Sequence, residues 1–238
     1  MKMKQGCFFL LSVFIFVIFA NVMKVNAMHT GFQTDELPSE EKNMFISNIN
    51  ILSIDEEPVK KTITCFDINS NQLIAIGQNT SDRKTICVYS NEGTFQYGYT
   101  FDCTGSFGVE WDEENLNIYF VRSDVIVSLD SDGNILDIKT VQDTIDNNSY
   151  SNLLLYSTTR TVANTTYLIR NDMGILNWIA SSFSQIVTID ATGAESIIYD
   201  VNSMQLTKTI VTISLICAFV FVAVAVVIWQ FIKLKHNA

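Results

Sequence analysis

Two uncharged apolar runs bracket the chain, and all 25 acidic residues lie between them. The second run, Thr209 to Ile232, has 24 residues without a charge and is followed by Lys233, Lys235 and His236. A bilayer core of about 30 Å needs roughly 20 helical residues, so the run is long enough to span. The lysines behind it are expected on the cytoplasmic side, with Trp229 at headgroup level. The first run, Phe8 to Ala20, is shorter and follows Lys2 and Lys4. It has the three-part layout of a secretory signal over residues 1–27, and Val25-Asn26-Ala27 offers a small-residue cleavage site. An uncleaved anchor is the competing reading. Both readings place residues 28–208 outside the cytoplasm.

Between the runs, residues 28–44 are polar and acidic with no apolar period, which predicts a mobile lead-in. From Phe45 onward Val, Ile, Leu, Phe and Tyr recur in short clusters separated by Asn, Asp, Ser and Gly. This is strand and turn punctuation, with no helical stripe outside the apolar runs. Three stretches superimpose: Thr85 to Gly93, Val125 to Gly133 and Gln185 to Gly193. Each is an apolar strand closing on a polar turn with glycine last, and each is followed by a second strand. Glycine suits that position because positive φ costs other residues a Cβ clash. Upstream, Phe66-Asp67 is matched to Trp111-Asp112, and Gln72 to Ile76 to Leu116 to Phe120. In the third copy, residues 169–172 precede an expected strand at Ile175 to Trp178. Glycine spacings of 40 and 60 place an insertion near Asp143 to Thr166, with an additional strand expected at Asn152 to Ser157.

The stretch Gly108-Val109-Glu110-Trp111-Asp112 through Leu116–Val121 to Leu129–Leu136 resembles one repeat of the NHL type. It is also similar to repeats of related six-bladed β-propellers. Residues 64–101 and 166–201 match more loosely. The resemblance implies an all-β ectodomain: a propeller-like array of about three four-stranded antiparallel units over residues 45–202. Such families act as binding platforms or, less often, as enzymes with a metal or acid-base group in the central channel. Closed propellers have about 4 to 8 blades. The array is therefore incomplete or open, gains an irregular blade from Phe45 to Thr64, or completes a ring with another subunit. A β-sandwich with the same hairpins is the competing fold.

Charge narrows the partners. Residues 28–209 hold 25 acidic against 10 basic residues, 25 minus 10 giving 15 net negative charges. Nucleic acid and anionic lipid are thereby disfavoured. Of five cysteines, Cys65, Cys87 and Cys103 fall in the ectodomain, permitting at most one disulfide. The better expectation is buried thiols within strands. Asn79, Asn147 and Asn164 head N-x-S/T sequons.

Catalytic equipment is sparse. The two histidines, His29 and His236, lie outside the expected core, which excludes a Ser-His-Asp or Cys-His arrangement there. Asp112, Glu113 and Glu114 read as a solvated turn rather than an acid pair. Asp130-x-Asp132-Gly133 has two calcium-loop features, but Ser128 and Lys139 occupy the positions of expected ligands, so it reads as a hairpin. No cofactor or metal is expected. Trp111, Asp112 and Trp178 are the candidate binding residues, although Phe66 and Trp111 also suit core packing between units. The expected protein is a single-pass plasma-membrane module with a juxtamembrane stretch at 203–208, a span at 209–232 that meets the lipid bilayer, and a tail at 233–238. It presents its repeats to a protein or glycan, has no catalytic activity, and forms a homo-oligomer if one completes the ring. The alternatives are a subunit of a larger membrane assembly and an acid- or metal-dependent hydrolase.

Overall fold

The computed structural model describes residues 28–80, 83–180 and 182–236. The expected signal at 1–27 lies outside them. The domain is mostly β, built from antiparallel sheets that do not close into a barrel, and ends in one apolar helix.

Each sheet is a sequential meander. In the first, β3 (Ile63–Ile68), β4 (Ile74–Asn79), β5 (Lys84–Tyr89) and β6 (Phe95–Phe101) pair in order, with β2 (Leu52–Ile54) added outside β6. In the second, β7 (Phe107–Asp112), β8 (Asn115–Phe120), β9 (Val125–Leu129) and β10 (Ile135–Val141) repeat the pattern, with β1 (Thr34–Glu36) outside β10. The third contains β11 (Thr159–Val162), β12 (Thr165–Arg170), β13 (Gln185–Ile189) and β14 (Glu195–Asp200).

The first sheet is the middle layer. One face carries Cys65, Ala75, Ile86, Val88, Tyr99 and Phe101, which pack on Val109, Ile118 and Val127 of the second sheet. Its other face carries Phe66, Ile74, Ile76, Cys87 and Tyr89, which pack on Tyr167, Ile169, Ile186 and Tyr199 of the third. Period-two side-chain alternation explains how one short strand serves two layers: Ile86 turns to one neighbour and Cys87 to the other. β3 is close to both β7 and β11, so the first strands of the three sheets gather at one place.

The three glycine hairpins share one geometry. Gly93, Gly133 and Gly193 have φ of 79°, 84° and 84°, and each donates its N–H at 3.0 Å to the carbonyl of Ser90, Asp130 or Asp190. The side chain at that first turn position accepts from the backbone two and four residues on: Ser90 Oγ from Glu92 and Thr94, Asp130 Oδ1 from Asp132 and Asn134, Asp190 Oδ1 from Thr192 and Ala194. The Asp130 carboxylate is thus spent within its own turn.

Several expectations are corrected. Residues 28–44 are not a loose lead-in: Met28 and Phe32 are buried against Tyr119, Ile126, Val141 and Leu154, and β1 pairs with β10. Two helices stand where the sequence showed no helical stripe, α1 (Ser39–Ile49) and α2 (Ile145–Tyr156). Their apolar periodicity is weak because α1 buries only Ile49, and α2 only Asn147 and Leu154. End contacts hold them instead: Thr144 Oγ1 caps α2 by accepting from Asn147 N at 3.2 Å, and Asn50 closes α1 at φ 44°. The insertion is therefore helical, and Asn152–Ser157 forms no strand. Residues 45–64 form no blade of their own; they supply the end of α1, the edge strand β2 and the first two residues of β3. Ile175–Trp178 belongs to a 3-10 helix, Gly174–Ile179, because the third sheet draws its first pair from β11 and β12. The expectation of buried thiols within strands holds for Cys65 and Cys87, which are free on opposite faces of the first sheet; Cys103 is also free but half-buried after β6.

The C-terminal helix α3 (Asn202–His236) begins at the domain, includes the expected juxtamembrane stretch, and continues past Ile232. Its apolar length suffices to cross a bilayer, and none of its most apolar window is buried in the protein. Leaving that surface in water opposes the hydrophobic effect along its whole length.

Candidate functional site: a charged cleft on the gathered first strands

The pairing registers define which residues are equivalent. Asp67 faces Ala75, Glu110 faces Asn117 and Arg160 faces Tyr167 across the first strand pair of each sheet. The partners Ala75, Asn117 and Tyr167 in turn face Val88, Ser128 and Thr188, which hold one position in the superimposed hairpins. One structural position thus carries an aspartate, a glutamate and an arginine on the three strands that gather.

These side chains line one cleft of about 270 Å³ together with Tyr150, Leu153 and Leu154 of α2 and with Ser157, Thr159 and Thr161. Asp67 Oδ1 pairs with Arg160 Nε at 2.9 Å, and Oδ2 accepts from Trp111 N at 2.8 Å. The Arg160 guanidinium also lies 5.3 Å from the Phe66 ring centre, a cation–π arrangement. Glu110 is 5 % exposed; Tyr150 Oη donates to its Oε2 at 2.6 Å and Asn117 Nδ2 to its Oε1 at 3.2 Å. Gly31 makes that tyrosine placement possible, since a Cβ there would sit 2.2 Å from the Tyr150 ring. Asn117 Oδ1 is buried without a hydrogen-bond partner.

Burial sets the acid-base character. Removal from water pushes the Glu110 carboxyl above its ordinary value, although hydrogen bonds from Thr30, Tyr150 and Asn117 oppose this. Asp67 is raised for the same reason, against the Trp111 N–H and the Arg160 charge. Tyr150 is raised by burial and then by the neighbouring Glu110. The cleft therefore combines a guanidinium with two carboxyl groups held toward their protonated forms.

The residues singled out from the sequence are placed differently. Trp111 is half-buried at the edge of the layer between the first two sheets, and its Nε1 donates to Asp67 O at 3.3 Å. Asp112 accepts from His29 N at 2.8 Å, tying the N-terminal segment to the end of β7. Trp178 is 80 % exposed on the 3-10 helix. No hydrogen bond or apolar cluster among the described residues joins it to Trp111 or Asp112. Trp111 stands opposite Leu116 as Ile68 does opposite Ile74, so the expected equivalence with Phe66 is shifted by two positions. The shift begins in the second strand, where Ile74 and not Gln72 stands level with Leu116: Val88 lies 13 positions after its partner Ala75, whereas Ser128 lies 11 after Asn117. Anchoring the comparison on the glycine hairpins and following the pairing registers back to the first strands places Asp67 beside Glu110.

No protein-family model matches the chain, and neither a curated protein nor a solved structure is significantly similar to it.

Proposed function

We propose that this chain is a single-pass membrane protein whose residues 28–208 lie outside the cytoplasm as a propeller-like binding module without catalytic activity. The three sheets are read as adjoining blades of an open array, with β3, β7 and β11 as innermost strands. The observation that carries the reading is the convergence of Asp67, Glu110 and Arg160 from one repeated position into one cleft. Arg160 uses Nε on Asp67 and Nη1 on the Thr159 carbonyl, and Nη2 has no protein partner among the described hydrogen bonds. That geometry suits a hydroxyl-rich or carboxylate-bearing group presented by a glycan or protein.

The test uses full-length protein in bilayer nanodiscs applied to immobilised acidic and neutral oligosaccharides. Expected is retention on at least one glycan, weakened about tenfold or more in Arg160→Lys, since a charge-assisted bond is worth about 1.5–3 kcal/mol. Retention of no glycan, or retention indifferent to Arg160→Lys, overturns the cleft assignment. Protease protection of oriented vesicles tests the topology: residues 28–208 are digested from the extracytoplasmic side alone.

A second reading is kept by one specific observation. Two carboxyl groups line the same cleft, the buried Glu110 with its pKa raised by burial and the half-buried Asp67 paired with Arg160, and glycoside hydrolysis uses one carboxylic acid with one carboxylate. Hydrolysis of aryl glycosides that is abolished by Glu110→Gln would favour it over simple binding.

A further inference from the structure

The connection between β12 and β13 carries two large apolar side chains in the open. Ile175 is 85 % exposed and Trp178 is 80 % exposed. They stand three residues apart on the 3-10 helix Gly174–Ile179, and that spacing eclipses side chains on one side. Their exposure is not a sign of looseness. Met173, immediately before the helix, is buried; its N–H donates to Asn177 Oδ1 at 2.8 Å, and Asn177 Nδ2 donates to the Asn171 carbonyl at 3.3 Å. The segment is a closed knot that presents Ile175 and Trp178 outward.

The knot is also fixed to the start of α3. Asn202 Nδ2 donates to Asp172 O at 2.5 Å, Asp172 N donates to Asn202 Oδ1 at 3.2 Å, and Gln205 Nε2 donates to Ser182 O at 2.8 Å. Ile179 and Ala180 share a cavity wall with Thr209, Thr212, Ile213 and Ile216 of that helix. Those four residues lie within the first eight positions of the span, Thr209 to Ile216, about 10 Å of helix at roughly 1.5 Å per residue. The 3-10 helix therefore stands at the depth where the apolar span begins. The adjoining cleft is lined by Lys61, Lys208 and Met204, and neither it nor the cavity has an acidic side chain among the described residues.

We propose that Gly174–Ile179 is a second membrane contact, with Ile175 and Trp178 seated at the boundary between headgroups and acyl chains, and that its partner is the lipid bilayer that receives α3. A tryptophan has an apolar body and a polar N–H suited to that boundary, and Lys61 and Lys208 lie where lipid phosphates are found. The inference rests on the reading of residues 209–232 as a membrane span.

Trp178 is so exposed that Trp178→Phe leaves the fold intact, and the chain has only two other tryptophans, Trp111 and Trp229. Full-length protein, Trp178→Phe and Trp229→Phe are each reconstituted into phosphatidylcholine vesicles, with and without lipid brominated near the headgroup. Subtraction isolates the emission of each removed tryptophan. Expected is a blue-shifted Trp178 component that brominated lipid quenches and aqueous acrylamide does not. If lipid bromine quenches Trp229 but not Trp178, the second contact is overturned while the span stands. If it quenches neither, the span fails and takes the inference with it. A Trp178 component shielded from both quenchers points to a protein partner and also overturns the proposal.

Discussion

Asn147 binds the backbone at three points: its Nδ2 donates to the carbonyls of Gln33 and Gln142 at 2.8 Å each, and its Oδ1 accepts from Gln33 N at 2.8 Å. Only 3 % of it is exposed, so its sequon cannot carry a sugar in this fold, whereas Asn79 and Asn164 are exposed. In a glycosylating host, glycosidase-sensitive mobility is expected to change in Asn79→Gln or Asn164→Gln and to be absent from folded Asn147 protein. Asn147→Ala orphans up to three backbone groups; at about 1–3 kcal/mol for a buried unsatisfied group, a loss of about 3 kcal/mol in a denaturant melt is expected. Glu110 gives a pH signature. Its folded-state pKa is raised above the ordinary 4.5, so its contribution to stability is fully present below pH 4.5 and is lost as pH rises through the folded value. Melts across that window should show a shallower decline in Glu110→Gln, leaving the same-signed slope of Asp67. Burial pushes the thiols of Cys65 and Cys87 up to about 12, so both stay protonated at pH 8. Native alkylation read by mass spectrometry is expected to modify partly exposed Cys103 and spare those two; equal labelling of all three contradicts their burial.

The hairpins differ in what their glycines touch. A Cβ on Gly133 would lie 2.4 Å from Ser53 Oγ, and one on Gly93 would lie 2.6 Å from the Ile198 carbonyl oxygen, but one on Gly193 meets nothing within 4 Å. The second sheet's hairpin thus docks on the first sheet, reinforced by Ser53 Oγ donating to Asp132 O at 2.7 Å and Tyr99 Oη to Asp130 O at 2.6 Å. The first sheet's hairpin docks on the third, and the glycine of the third sheet's hairpin faces no neighbour among the described residues. Gly193→Ala should cost about 1 kcal/mol, the left-handed penalty alone. Gly133→Ala and Gly93→Ala should each cost more, by about the worth of the displaced contact; equal losses in all three melts would contradict the docking. These hairpins were legible in the sequence because their requirement is local: an oxygen-bearing side chain, then glycine three residues later. The strands beside them were legible for the same reason. Helices α1 and α2 were not, since end contacts and distant partners stabilise them rather than an apolar stripe. The charged cleft was not either, because Asp67, Glu110 and Arg160 coincide only when the pairing is followed back from the glycine hairpins, through second and third strands whose spacing differs in every sheet.

Across the whole molecule the sheets stack in one direction and stop. Where the first sheet carries Phe66, Ile68, Ile74 and the half-buried Phe95, the registers place Thr159, Thr161, Thr166 and Glu195 on the outward face of the third, beside the apolar Leu168, Val187, Ile189 and Ile197, and Arg170 pairs there with Glu195 at 2.9 Å. At the other end, Phe32, Tyr150 and Leu154 cover the second sheet. Terminal units of an array end in water on a polar outer face, and this face is polar only in part, with Ile197 52 % exposed on it; detergent-solubilised protein is expected to have the mass of one chain, and a stable dimer dissolved by Ile197→Glu would show the outward face to be a joint. The bonds from Asn202 and Gln205 to the β12–β13 connection have a mechanical consequence. Among the described residues no free linker stands between head and span, so the head lacks a swivel and its attitude is that of α3. If α3 spans a bilayer as proposed, a bilayer thinner than its apolar length makes the helix lean further, and the mouth of the charged cleft leans with it. On that reading, membrane thickness becomes an aiming variable for the head.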